Sequence, residues 1–156
     1  MVAPVVATSL LIRRPANVVF EAFVDPAVTS RFWFTEGSGR LEPDAKVTWT
    51  WGMYGASSNV RVKAIEPNRR ILVDWDVEDN PTEIEWTFDD RGDQTVVEVV
   101  NRGFGEGDEQ VTKALDSMGG FMLMLAGAKI WLEHGIDPRF VVDKHPDARL
   151  PNWNAD

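Results

Sequence analysis

The side chains best suited to acid–base chemistry are five carboxylates in three short stretches of alternating sequence. They are Asp74, Asp76, Glu83, Glu85 and Glu98. Each alternates with apolar neighbours, as on a strand whose two faces meet different surroundings. The alternation predicts that all five lie on a solvated face, where a carboxyl pKa has little reason to leave its usual value. We therefore predict no catalytic pair among them.

Seven tryptophans among 156 residues are the second unusual feature. Four of them alternate onto the apolar face of the same strands: Trp49, Trp51, Trp75 and Trp86. One buried indole is ordinary core filling, because large aromatic side chains dominate most cores. Four on one small sheet favour an aromatic-walled, mostly apolar cavity, which in proteins usually measures about 300 to 1,000 Å³. This pattern predicts binding of a small apolar or amphipathic molecule.

Three polar residues are candidates for contacts inside such a cavity. Asn101 falls on the apolar face at a strand end, Tyr54 lies in the glycine-rich stretch 52–58 near the expected mouth, and Arg31 lies on an expected entrance helix. Each could orient a ligand through one or two hydrogen bonds, as polar groups in apolar pockets commonly do.

The remaining composition argues against several other classes of protein. The chain has no cysteine and two histidines without convergent ligands, so we predict no metal, no cofactor and no catalytic residue. The net charge of −9 opposes binding to nucleic acid or to an anionic membrane. Arginines follow the first apolar run, which is the reverse of a secretory signal and indicates a cytoplasmic protein. The uncharged run 117–128 is too short to cross a bilayer.

The segment 108–134 has the period of a long helix. Its main apolar stripe is Val111, Leu115, Met118, Met122, Leu125 and Leu132, at steps of three, four and seven. Further bulky residues, such as Phe121 and Trp131, occupy the other faces, so we expect cover nearly all round. Three glycines interrupt this helix at about 1 kcal/mol each relative to alanine. Either they allow close packing, or they thin or kink the wall of a cavity. The expected lining from this helix is Met118, Met122 and Met124 as adaptable side chains, together with Phe121 and Leu125.

The rest of the chain supplies the elements that position these residues. A strand over residues 5–12 precedes two short helices, at 16–23 and 27–32. Five strands then follow in series, and their short turns predict an antiparallel meander. Its apolar face needs a cover, and the long helix is the element that is long and apolar enough to provide it. We predict one α+β domain over 1–156, a curved sheet wrapped around the long C-terminal helix, with 136–156 as a tail.

Five segments in this order carry a resemblance to a known family: RRPANVVFEAFVDP, SRFWF, VKAIEPNRRILVDW, IEWTFDDRGDQTVVEVVNRGF and GGFMLMLAGAKIWLEHG. Together they resemble the START-related, helix-grip (SRPBCC) superfamily, and within it the proteins similar to the activator of the heat-shock protein 90 ATPase. Gly120-Phe121 stands where that family usually has Gly-Trp. The resemblance implies a helix-grip fold with a cavity between sheet and helix. It does not specify an activity, because the superfamily includes lipid carriers, polyketide cyclases, hormone receptors and co-chaperones.

Three functions therefore remain open at this point. The favoured one is binding of a small apolar or amphipathic ligand between the sheet and the long helix. The resemblance also allows a co-chaperone that stimulates a chaperone ATPase. The third is a cyclase or hydrolase acting on a hydrophobic substrate, which requires a buried acid or base with a shifted pKa beside the cavity. The tail either wraps the chain's own surface or docks Phe140, Val141, Val142 and Trp153 on a second subunit. A homodimer is accordingly a possible assembly, with Ile130 and Trp131 as a second candidate interface.

Overall fold

The computed structural model describes residues 2–153. Within these residues there are seven strands and four helices. They are β1 (Val6–Ile12), α1 (Ala16–Val24), α2 (Pro26–Thr29), β2 (Glu36–Gly37), β3 (Lys46–Trp51), β4 (Ala56–Glu66), β5 (Arg70–Trp75), β6 (Thr82–Asp90), β7 (Thr95–Arg102), α3 (Asp108–His134) and α4 (Phe140–Lys144). The predicted elements occur in the predicted order, and β2 and α4 are additional. The prediction of an α+β helix-grip fold is confirmed. The second short helix, predicted over 27–32, ends earlier at Thr29.

All seven strands form one antiparallel sheet in the order β1-β7-β6-β5-β4-β3-β2. The meander β3 to β7 is the predicted one, and β1 joins it by pairing with β7. Strand β4 departs from strict alternation near its middle. A register shift between Val62 and Ala64 pairs Ala64 with Leu72, so that Ile65 opposes Ile71 instead. The short edge strand β2 has no alternating pattern long enough to reveal it.

The two N-terminal helices cover one end of the apolar face. Pro26 occupies the first turn of α2, and the side chain of Asp25 caps that helix by accepting a hydrogen bond from the Ala27 N–H at 2.9 Å. From α1, Phe23 packs its ring against Phe88 at 5.9 Å and Trp86 at 6.3 Å, measured between centroids. This contact makes the α1 end of the sheet a solid aromatic core.

The long helix α3 has the predicted bounds but not the predicted cover. It ends at Gly135, whose left-handed backbone lets its N–H donate to the Trp131 carbonyl at 2.8 Å. The expectation of cover nearly all round was wrong for the first turns, where the exposed fractions of Val111, Leu115 and Met118 are 40%, 65% and 42%. The buried residues form a neighbouring stripe: Ala114, Phe121, Met124, Leu125, Gly127 and Ala128. The helix meets the sheet on one side along β1, so a second apolar stripe stays in water.

The segment after α3 folds back over the 3-10 turn Gly52–Tyr54 that joins β3 to β4. The hydroxyl of Tyr54 donates a hydrogen bond to the Val141 carbonyl and accepts one from the His145 N–H at 3.2 Å. Further along, the Leu150 N–H donates to the Met53 carbonyl at 2.8 Å. Of the two alternatives for the tail, the structure therefore shows the one in which it wraps the chain's own surface.

Candidate ligand-binding cleft

An apolar cleft of about 270 Å³ lies where the tail crosses the open end of the sheet. Strands β3, β4 and β5 form its floor, the N-terminal half of α3 forms one wall, and α4 forms the other. We call this space the aromatic cleft. Its lining is Trp33, Trp51, Tyr54, Ala56, Ser58, Trp75, Asp116, Ser117, Gly120, Phe121, Leu123, Val141, Lys144 and His145.

Aromatic rings hold the deep wall of the cleft. The ring centroid of Phe121 lies 5.8 Å from that of Trp75 and 6.1 Å from that of Trp33. Trp33 in turn meets Trp51 edge to face at 5.4 Å. Such edge-to-face and tilted contacts are the favoured arrangements of aromatic pairs. The rings therefore support one another and leave an apolar surface facing the opening.

Gly120 and Gly127 resolve the question about the glycines in the long helix. A Cβ added at Gly127 would lie 3.1 Å from the Phe32 Cβ and 3.2 Å from the Phe32 carbonyl oxygen, so this glycine allows close packing. A Cβ added at Gly120 would meet nothing within 4 Å, and Gly120 lines the cleft. One glycine thus admits a neighbouring segment, and the other leaves space open.

Polar groups gather at the rim of the cleft formed by the tail. The Lys144 ammonium lies 3.9 Å from the Asp116 Oδ1, beyond hydrogen-bond distance. The His145 ring meets the Tyr54 ring at 5.9 Å. Within residues 2–153, the indole Nε1 of Trp75 is buried and finds no hydrogen-bond acceptor. The cleft therefore combines an apolar floor with a lysine ammonium at its rim that makes no close ion pair in the part of the chain that the structure describes.

Four of the eleven predicted site residues line the cleft together: Trp51, Tyr54, Trp75 and Phe121. Tyr54 also has a second role that the sequence did not indicate, because its hydroxyl fastens the tail. Trp49 and Trp86 lie instead in the packed core, with exposed fractions of 2% and 1%. The prediction that they line the cavity was wrong, because the Trp33 ring packs against both. Its centroid lies 4.9 Å from that of Trp49 and 6.2 Å from that of Trp86.

The other five predicted residues also lie outside the lining of the cleft. Asn101 is buried at the β7 end, where its amide nitrogen donates to the Thr82 Oγ1 and the Glu83 carbonyl, both at 2.9 Å. Leu125 is buried in the core, and Met122 lies against β1, where its sulfur accepts a hydrogen bond from the Thr8 hydroxyl at 3.2 Å. Met118 faces solvent. These positions correct the prediction, because the helix stripe faces β1 and water rather than the cleft.

Arg31, the remaining predicted residue, lies on the far side of the tail. Its guanidinium sits over the Trp131 ring at 5.4 Å from the centroid. It also lines a separate groove of about 380 Å³ between the segment 30–35 and the tail. Arg31 therefore lines this groove and not the aromatic cleft, although both spaces share Trp33 and Val141.

Sequence reasoning missed the residues that no periodic element carries. Trp33 lies in the connection between α2 and β2, and Val141, Lys144 and His145 belong to the tail. The segment SRFWF could have indicated that Trp33 lines the cleft, because a ring of this size in a loop beside a sheet usually packs inward. The tail gave no comparable signal, since it has no clear period.

The carboxylates of the outer face follow the prediction only in part. The pKa of Glu83 is lowered, chiefly by a hydrogen bond from Lys63 at 2.7 Å and then by one from Arg102. Asp76 departs in the opposite direction, because burial and the nearby charge of Asp79 raise its pKa against a hydrogen bond from Ser58. Asp76 follows the last residue of β5 and has a left-handed backbone, with φ of 63°. The alternation that predicted full solvation therefore ends just before it.

A family model describes most of this arrangement. Residues 13–125 match the family described as activator of Hsp90 ATPase homolog 1-like protein. The chain belongs to this family. A comparison with curated protein sequences finds none that matches.

Solved structures show the same fold. A Staphylococcus saprophyticus protein is 29% identical, with 87% of this chain and 96% of that chain covered and a TM-score of 0.76. The Aha1 dimer from Colwellia psychrerythraea is 15% identical, covers 85% of this chain and 98% of that chain, and has a TM-score of 0.74. DynU16, a protein of the dynemicin biosynthetic locus, is 18% identical, with 85% and 48% coverage and a TM-score of 0.74. At such identities the last two show the fold alone.

The match to the activator-like family ends inside α3, at residue 125. The cleft residues Val141, Lys144 and His145 lie beyond it. Among residues 2–153, no helix has the length and apolarity needed to span a membrane, and no group of three acidic, histidine or cysteine side chains could hold a metal ion.

Proposed function

We propose that this protein binds a small apolar or amphipathic molecule in the aromatic cleft. One observation carries the proposal: Gly120 faces open space in a wall otherwise built of Trp75, Phe121 and Trp51. A glycine inside a helix costs about 1 kcal/mol relative to alanine. An apolar, aromatic-lined concavity with a few polar groups is also the usual form of a small-molecule site.

The size of the cleft limits the ligand. An apolar cavity of about 150 Å³ accommodates benzene, and the aromatic cleft measures about 270 Å³. This volume suits a bicyclic aromatic or a short alkyl chain, and it is too small to enclose a whole lipid. A larger ligand would have to leave part of itself in solvent at the mouth.

Binding is proposed rather than acid–base catalysis because the carboxyl group with a raised pKa lies outside the lining of the cleft. Asp76 is a carboxyl group with a raised pKa beside this region, and a hydrolase or cyclase would need such a group facing its substrate. Asp76 lines the neighbouring groove with Asp79 and Thr82, and it is not in the lining of the aromatic cleft.

Indole N–H resonances give a direct test, because each of the seven tryptophans contributes its own signal. We expect titration of ¹⁵N-labelled protein with 2-naphthylacetamide to shift the signals of Trp33, Trp51 and Trp75. The signal of Trp131, at the far end of α3, should stay in place. Gly120→Leu should abolish the shifts, since its side chain would occupy the cleft.

Thr112→Leu is the matched control, because it adds the same side chain to an exposed position of α3 outside the cleft. This variant should bind as the unaltered protein does. If the indole signals do not move across a panel of bicyclic aromatics and short alkyl amides, or if Gly120→Leu responds like Thr112→Leu, the proposal fails.

We also propose a homodimer through the exposed apolar stripe of Val111, Leu115 and Met118. Its support is the size of these exposed side chains and the dimeric state of the Colwellia relative. Sedimentation equilibrium should give a dimer that Leu115→Lys converts to a monomer. A monomer at all concentrations would remove this part. We further propose that the chain forms one domain and that the protein is cytoplasmic, as the sequence indicates.

A further inference from the structure

We infer that the ligand of the aromatic cleft carries an anionic group, such as a carboxylate, that pairs with Lys144. This inference rests on the proposed function and narrows it to an amphipathic anion. The apolar body would lie against Trp75 and Phe121, with the charge at the rim where the tail crosses. The family match ends before Lys144, so the matched residues assign it no role.

The surroundings of Lys144 are unusual for a lysine. Its side chain is only 25% exposed, whereas that of its carboxylate neighbour Asp116 is 70% exposed. The 3.9 Å between Lys144 Nζ and Asp116 Oδ1 exceeds hydrogen-bond distance. A lysine ammonium has three donors, and a mostly covered one is stable when they meet acceptors. This ammonium therefore has capacity for a stronger partner than Asp116.

The Lys144 ammonium lies close to the stretch of α3 that lines the cleft. A Cβ at Gly119 would lie 3.2 Å from Lys144 Nζ, so the charge lies directly on the surface of α3. The next residue, Gly120, faces open space in the cleft. The ammonium thus lies against the residue next to Gly120, at the edge of the space proposed for the ligand.

The other polar groups of the lining leave room for an acceptor on the ligand. Ser117 adds a hydroxyl, and the Asp116 carboxylate in the same lining is 70% exposed, so water screens its repulsion of an anion. A carboxylate supplies several acceptor positions, and charge-assisted hydrogen bonds are shorter and stronger than neutral ones. A cationic ligand would instead face Lys144 at close range.

The overall charge makes a preference for anions informative. At −9 the protein repels anions at long range. Any preference for an anionic over a neutral ligand of the same shape must therefore come from the cleft itself. Such a preference should weaken as salt is added, because screening reduces partly exposed charge pairs.

Calorimetric titration with 2-naphthylacetate and 2-naphthylacetamide, which share shape and differ in charge, tests the inference. We expect the carboxylate to bind about threefold to tenfold more tightly than the amide. Lys144→Met should remove this difference, because it should weaken binding of the carboxylate more than binding of the amide. Lys144→Arg should retain it. Lys113→Met removes one positive charge from α3 outside the cleft, and it should behave as the unaltered protein.

The outcomes separate this inference from the function on which it rests. Equal affinities for the two ligands in the unaltered protein would overturn the inference and leave the proposed binding intact. Equal weakening of both ligands by Lys144→Met would assign Lys144 to packing of the tail, and would also overturn it. Binding of neither ligand, with unmoved indole signals, would overturn both.

Discussion

The two halves of α3 solve the same packing problem in opposite ways. Around Gly127 the segment after α2 comes so close that its Phe32 backbone would touch a Cβ. Around Gly120 nothing comes within 4 Å of one, and the tail closes the space only from the side. We call these regions the packed half and the open half. Their difference shows that glycine allows close packing at one position of the helix and leaves open space at another.

Aromatic side chains divide in the same manner. Trp86 lies in the closed core, where its ring contacts those of Phe23, Trp33 and Trp49. Trp51 and Trp75 have one side against the core and another on the cleft. A ring surrounded on all sides contributes to stability through its whole surface, whereas a wall ring keeps surface for a ligand.

Truncating one tryptophan of the core and one of the cleft should give the largest difference in stability. Trp86→Ala should lower the free energy of unfolding by about 3 to 5 kcal/mol, because it leaves a cavity in a closed core. Trp51→Ala should lower it by about 1 to 2 kcal/mol, because the indole is only half-buried. Urea unfolding with unchanged m-values measures both. Equal losses would show that the open half is packed as tightly as the other.

Substituting alanine for Gly127 and for Gly120 adds one methyl group to each half of α3 and compares the space available there. Gly127→Ala should destabilise by about 1 to 3 kcal/mol, because backbone atoms of Phe32 cannot move aside easily. Gly120→Ala should stabilise by up to about 1 kcal/mol, since it improves helix propensity in open space. Thermal and urea midpoints report the sign directly. The same sign at both positions would remove the distinction.

Tyr54→Phe tests how strongly the tail is held over the cleft. Loss of the hydroxyl removes the hydrogen bonds to the Val141 carbonyl and from the His145 N–H, together about 1 kcal/mol. We expect faster hydrogen exchange at residues 140–145 and little change in the global unfolding midpoint. His145→Ala separates the two contacts, because it removes the ring that meets Tyr54 and keeps the backbone N–H that donates to the hydroxyl. If the exchange rates do not change, the tail is held by other contacts.

Asp76→Asn should give the smallest effect, with a sign set by pH. The folded protein raises the pKa of Asp76, so the wild-type carboxyl loses stability as pH rises from its ordinary value of 3.8 through the raised value. Above that range the Asp76→Asn variant should therefore be more stable than the wild type, by less than about 1 kcal/mol. Asparagine also tolerates the left-handed backbone at this position.

Glu83→Gln provides the opposite case. Because Lys63 and Arg102 lower the pKa of Glu83, its contribution is present at neutral pH and is lost as pH falls through the lowered value. The stability difference of this variant should therefore shrink in acid, where that of Asp76→Asn also vanishes. Parallel urea titrations between pH 3 and pH 7 compare the two. A neutral-pH loss of stability in Asp76→Asn would contradict the raised pKa.

Periodic sequence predicted most of the fold and part of the cleft. Alternation located the strands and put Trp51 and Trp75 on the right face, and a 3.6-residue period gave α3 its bounds. Periodicity could not tell which of two apolar stripes on α3 would be buried, because both satisfy it. It also could not locate Trp33 or Lys144, since these lie in a connection and a tail whose positions depend on long-range contacts.

The Tyr54 contact has a consequence for the order of folding. Its hydroxyl joins residues separated by 87 and 91 positions along the chain, and loop closure over such distances comes late because its entropic cost precedes any gain. The meander can form from neighbouring strands, whereas the roof of the cleft must wait for the tail. Until the tail docks, the rings of Trp51 and Trp75 lack the cover that it provides. The partly folded chain therefore exposes more aromatic surface than the folded protein and is more prone to aggregate.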